Sequence, residues 1–213
     1  MKLEKELDRR NFLKKSSLLA LGAGSLLTLP HGRAAAVTQE ADINIIGPKQ
    51  GYTPQIGTLV SMMAWMRMVI LSSVEGMGVK ELDYIHDANS NSIGAMLLHL
   101  AATERFYYLH TIEGKEWGNW EEADKNTYDV AMNLGDKARE SIKGNELVFY
   151  LKKLSDVREA TLKAFAQRDD EWLLTVDEDW GWGPTNNYCK WFHVVEHESN
   201  HNGQMKYIKS GIA

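Results

Sequence analysis

Beyond residue 53, apolar residues recur at spacings of three and four, the period of one helix face. Thr53-Pro54, a hydroxyl cap followed by proline at the first helical position, opens a stripe of Ile56, Leu59, Val60, Met63, Met66, Val69 and Ile70 that stops at Gly76 and Gly78. A second stripe begins after the capping cluster Asn89–Ser92 with Ile93, Met96, Leu97 and Leu100, and runs through Phe106, Tyr107 and Leu109 to about Ile112. Lys115 to Gly144 is rich in Gly, Asn, Asp and Glu and reads as a long connection, with one short helix expected over 129–143. Asn145 caps a third stripe (Leu147, Tyr150, Leu151, Leu154, Val157, Leu162, Phe165) that closes at Arg168-Asp169-Asp170. A last helix is expected from Asn186 to Ser210, with a stripe of Trp191, Val194, Glu198, His201, Met205 and Ile208, apolar at both ends and polar in the middle. No strand-like alternation of any length occurs. These stripes predict an all-α fold over 53–213, an antiparallel four-helix bundle with one long crossover connection.

The start of the chain has another pattern. Arg9-Arg10 precedes a mild apolar run, Ser16 to Leu29, and then Ala34-Ala35-Ala36. This is the layout of a twin-arginine export signal over 1–36, with Asp8 where Ser or Thr is more usual. About 14 apolar residues are too few to span a bilayer that needs roughly 20, so no stable membrane anchor is expected after cleavage. Val37–Tyr52 reads as an extended lead-in. The expected location is periplasmic or secreted.

Charge narrows the function. Removal of 1–36 leaves 17 basic and 26 acidic residues, a formal charge of −9, with no basic run. Nucleic-acid binding, which needs cations to neutralise phosphates, is not expected. The single cysteine, Cys189, excludes an intrachain disulfide and a cysteine zinc cluster. Any metal site therefore draws on histidine and carboxylate.

Histidine supplies the candidate chemistry. His193, His197 and His201 stand at four-residue spacing on the last helix. Positions four apart drift by about 40° around a helix, so with His201 inward, His197 shares its face and His193 falls about 80° away, at the edge. Two ligands rarely suffice for a metal ion. The other histidine within an apolar helix face is His99, flanked by Ala95, Met96, Ala102 and Thr103. Two inward positions on separate helices are how a bundle builds a metal site. His110, in the last turn of its helix, reads as structural. Trp172, Trp180 and Trp182, in the Gly-rich loop up to Pro184, either wall a pocket or pin the loop to the surface.

Residues 197–204, His-Glu-Ser-Asn-His-Asn-Gly-Gln, together with Ile93-Gly94-Ala95-Met96-Leu97-Leu98-His99-Leu100 and the following Glu104, resemble the DinB family. The resemblance covers the chain from about Thr53 to its end, with Asn202 where the family often has a basic residue. It implies a four-helix bundle holding a divalent ion (zinc, nickel or iron) on His99, His197 and His201. It also implies thiol-dependent S-transferase chemistry, or hydrolysis, on a small-molecule substrate, possible dimers, and Glu198 as a candidate general base. Two other classes stay open at this point. One is a bundle in which the metal only stabilises the fold. The other is a zinc peptidase, since residues 197–201 match H-E-x-x-H, although none of the twelve residues after His201 is His, Asp or Glu.

Overall fold

Each of the four long stripes forms a helix in the computed structural model, which describes residues 43–212. The export signal expected over 1–36 lies outside the described residues. In chain order the elements are α1 (Pro54–Val74), α2 (Val79–Leu82), α3 (Ile93–Thr111), α4 (Glu122–Asn133), α5 (Gly135–Ser141), α6 (Leu147–Phe165), α7 (Asp170–Leu174), the strands β1 (Val176–Asp177) and β2 (Thr185–Asn186), and α8 (Asn187–Ser210).

Contacts between residues fix the helix directions. Arg67 of α1 meets Glu198 of α8, and farther along both helices Lys209 donates to the Ser73 carbonyl. These two helices run parallel. Along α3, His99 lies beside His201 and Tyr107 beside Trp191, so α3 and α8 are antiparallel. Gly94 of α3 faces Tyr150 of α6, and Glu104 faces Arg158, so these two are parallel. Arg67 and Arg158 donate to the Leu154 and Met63 carbonyls across the remaining, antiparallel side. The four-helix bundle is thus antiparallel across two sides and parallel across two. The crossover from Ile112 to Glu146 is what returns the chain so that α6 can run alongside α3. That pair packs closely: a Cβ at Gly94 would sit 2.7 Å from the Tyr150 hydroxyl oxygen.

Two of the four expected caps form, and Asn145 does not cap α6, whose N-cap is Glu146 without a side-chain cap bond. Ser92 and Asn186 accept from the N–H groups of Ala95 and Cys189. Thr53 does not cap α1 with its own side chain. The Asp170 carboxylate, from the start of α7, accepts from the Gln55 and Ile56 N–H groups and from the Thr53 hydroxyl. A negative group at a helix N-terminus is favourable, and this one also ties α7 to α1.

The connection differs most from expectation. Instead of one helix over 129–143, α4 begins at Glu122 and breaks before α5. Only Tyr128 and Ala131 of α4 are buried, too few to mark a stripe in the sequence. The break falls at Leu134 (φ +53°) and Gly135 (φ +72°). A leucine in that region is strained, and packing of its side chain against the core offsets the cost. The short elements α2, α7 and the β1–β2 pair carry no periodic signal. The strand pair (Val176 with Asn186, Asp177 with Thr185) pins both ends of the tryptophan loop to the start of α8.

Candidate metal centre

The α8 stripe is buried along its whole length, and its polar middle has two sides. On one side α8 faces α3 with His197 and His201. On the other it faces α1 and α6 with Glu198.

On the first side the structure brings His99, His197 and His201 together. One ring nitrogen of each lies within 4.8 Å of the others. His99 and His201 are buried, and His197 is half-buried. Nδ1 of His99 is 3.0 Å from the Ala131 carbonyl of α4. A carbonyl only accepts, so Nδ1 carries the proton and Nε2 presents a lone pair. That Nε2 lies 2.7 Å from Nε2 of His197. Either His197 Nε2–H donates to that lone pair, or a cation lies between the two nitrogens. The neutral imidazoles are ready donors. Burial pushes His99 below the usual histidine range. It takes His197 down to about 3, helped by the neighbouring His201, His99 and His193. Burial, with His99 nearby, takes His201 down to about 4. His201 also has Nδ1 buried without a partner among the described residues. Buried polar atoms are almost always satisfied; this cluster fits a divalent ion held by imidazole, of the kind zinc, nickel and iron accept. No fourth His, Cys, Asp or Glu joins the group among the described residues.

His197 opens onto a cavity of about 610 Å³. Thr103, Tyr107 and His110 of α3, Trp117 of the connection, and Trp180 and Trp182 of the pinned loop wall it. Two of the loop's three tryptophans therefore line a pocket; Trp172 packs on Phe165 instead. His193 sits at the cavity edge with Nδ1 2.6 Å from Glu196. His110 accounts for its structural reading through a 2.9 Å contact with the Lys115 carbonyl, and it also lines the cavity.

The second side is a closed ion-pair cluster. Arg67 donates to Glu104 (2.8 Å) and Glu198 (2.6 Å), and Arg158 donates to the same two carboxylates at 2.8 and 2.9 Å. Burial works against ionisation of Glu104, but Arg158 and Arg67 outweigh it and hold the carboxyl below the usual range. Glu198 is thus engaged in fixing α8 to α1 and α6 and does not line the cavity. The candidate base stands apart from the histidines because the 60° helical step turns it into a different groove. Arg67 and Arg158 were not singled out in the sequence. The available signal was a charged residue inside each apolar stripe, four positions after Met63 and four after Leu154.

Fold and site define the class: a DinB/YfiT-like helical bundle with three neutral histidines beside an aromatic-walled cavity. The sequence model of the mycothiol-S-transferase family matches residues 58–212, and the chain belongs to that family. No curated protein matches the chain significantly.

Proposed function

We propose that this protein is a metal-dependent thiol S-transferase. The observation that carries the reading is the facing pair of His99 and His197 Nε2 atoms, with His201 beside them, opening on a ligand-sized cavity. His99, His197 and His201 would hold the divalent ion. Bound there, the ion supplies Lewis acidity and lowers the pKa of a thiol brought beside it. The chain's own residues do the rest. The Ala131 carbonyl fixes the ring and tautomer of His99. The Arg–Glu cluster sets the rotation of α8, and hence the aim of His197 and His201. Aromatic walls strip water from the reacting pair. In the overall reaction a thiol R–SH and an electrophile R′–X form an S–C bond, the C–X bond breaks, and the thiol proton leaves with X.

Three protein ligands without a fourth favour catalysis over a purely structural ion. The peptidase reading loses its base, since Glu198 belongs to the ion-pair cluster and not to the cavity. An export signal over 1–36 would place the enzyme in the periplasm or outside the cell.

Elemental analysis of protein from its native host, together with bimane-thiol transfer assays using mycothiol and other low-molecular-weight thiols, tests the proposal. About one ion per chain is expected, lost together with transfer activity in His99→Ala and His201→Ala. Undiminished metal content in both variants would sink it.

A further inference from the structure

We infer that the cavity beside the histidines takes a substrate bearing a cationic ammonium group, received by the exposed rings of Trp117 and Trp182 and by the carboxylates of Glu116 and Asp179. The word "substrate" rests on the proposed function; the binding preference does not.

Three observations on different residues agree. The first is aromatic exposure. Trp182 is 58% exposed and Trp117 39%, although both line a concave surface where tryptophan normally buries itself. Their faces carry the negative end of the ring quadrupole and attract cations.

The second is unbalanced charge. Glu116, Asp177 and Asp179 line the cavity, and no lysine or arginine does. Asp177 is neutralised from behind by Lys190 at 2.6 Å. Glu116 and Asp179 form no ion pair among the described residues and are exposed at the mouth. A substrate carrying carboxylates would meet two like charges at the mouth, with no lysine or arginine lining the cavity to receive it.

The third is that the wall already holds an ammonium. Nζ of Lys190 lies 4.3 Å from the Trp180 ring centroid, and the side chain is 1% exposed. Burying a lysine head is costly unless its surroundings are strongly cation-favouring. Trp180 and Asp177 provide that environment from inside the wall. Trp182, 5.6 Å from Trp180, continues the same aromatic surface into the cavity, where Asp179 repeats the carboxylate.

The test is direct binding, followed by tryptophan fluorescence and calorimetry, to the full-length protein stripped of metal. The probes are choline, its neutral carbon isostere 3,3-dimethylbutan-1-ol, and the anion 2-hydroxyethanesulfonate. Choline is expected to bind saturably and about tenfold more tightly than the isostere, with the sulfonate not binding. The double variant Glu116→Gln/Asp179→Asn should bring choline down to the isostere's affinity and leave the isostere unchanged. Both residues are exposed, so the variant is expected to fold, and an unchanged thermal midpoint checks this. Equal binding of choline and isostere, tightest binding of the sulfonate, or no binding of any probe would each overturn the inference. Because no metal is present, the outcome is independent of the histidine site. The preference should persist in His99→Ala, and a chain that binds no metal yet prefers choline would refute only the transferase reading.

Discussion

The two polar clusters flanking α8 sit side by side in one helical bundle, and they are built in opposite ways. The Arg67–Glu104–Arg158–Glu198 cluster pairs two guanidinium groups with two carboxylates, although Oε2 of Glu198 has no partner among the described residues. The His99–His197–His201 cluster gathers three neutral imidazoles whose ring nitrogens lie within 4.8 Å of one another and leaves Nδ1 of His201 without a partner among the described residues. Both are buried, so burial alone does not distinguish structure from function. Charge balance does: a cluster whose charges pair internally needs no ion from outside, and a cluster of neutral imidazole donors can take one. Cavities lie on both sides, one bordering His197 and the other lined by Arg67 and Arg158, and neither is lined by the paired glutamates Glu104 and Glu198.

The largest effect expected from breaking this contrast lies on the ion-paired side. Glu104→Ala would leave two guanidinium groups facing a single carboxylate inside the bundle and should cost about 3–5 kcal/mol. Urea unfolding of metal-free protein measures this, and a loss below about 1 kcal/mol would show that water reaches the cluster. Replacing a complete pair, as in Arg67→Met/Glu198→Met, should cost less than either single change, because no orphaned charge remains.

On the histidine side the order of effects reverses. His201→Ala should change the stability of the metal-free chain by no more than about 1 kcal/mol, since it removes an unsatisfied polar atom along with some packing, whereas His99→Ala also leaves the buried Ala131 carbonyl without its donor and should cost about 1–3 kcal/mol. Metal affinity should fall about 100-fold or more, as loss of one ligand from three implies. Chelation then sharpens the comparison. At a free ion concentration 100 times the dissociation constant, bound metal adds about 2.7 kcal/mol to the wild-type stability. Stripping it should lower the wild-type midpoint and leave that of His99→Ala unmoved. Equal shifts in both proteins would place the ion elsewhere.

Glu198 stands between the clusters in sequence and belongs to one of them in space. Its candidacy as a base rests on its place about 60° round the helix from His201, which sets a carboxylate beside the ligands but does not say which groove it enters. Glu198→Gln distinguishes the two roles. In the ion-pair role it costs about 1–3 kcal/mol of stability, and turnover per folded molecule holds. A base would show the converse, full stability with turnover lost.

Much of this was legible in the sequence because it rests on periodicity. Four stripes locate four helices to within a few residues, and the inward positions His99, His197 and His201 follow from the same period. What could not be read depends on contacts between distant residues. Arg67 and Arg158 look like isolated charges until α1 and α6 come together. The direction of each helix is set by where the crossover lands, and the crossover's own helices bury only Tyr128, Ala131 and Ala138. Trp180 and Trp182 offered two readings in the sequence, and it took the β1–β2 pair to fold their loop over the cavity.

The same dependence on distant partners gives the smallest predicted effect. The carboxylate capping α1 comes from Asp170, and three donors from Thr53, Gln55 and Ile56 outweigh the opposing effect of burial and hold its carboxyl below the usual aspartate range. A depressed carboxyl contributes stability above its unfolded value near pH 4, and that contribution is lost as pH falls through the lower folded value. Asp170→Asn should therefore cost about 1 kcal/mol at pH 7 and progressively less below pH 4. A constant deficit across that range would mean that the amide loses hydrogen bonds and not charge. Because Asp170 touches neither buried cluster, the variant should leave metal content unchanged. A fall in metal content would show instead that the start of α1, through its packing on α8, helps to aim the histidines.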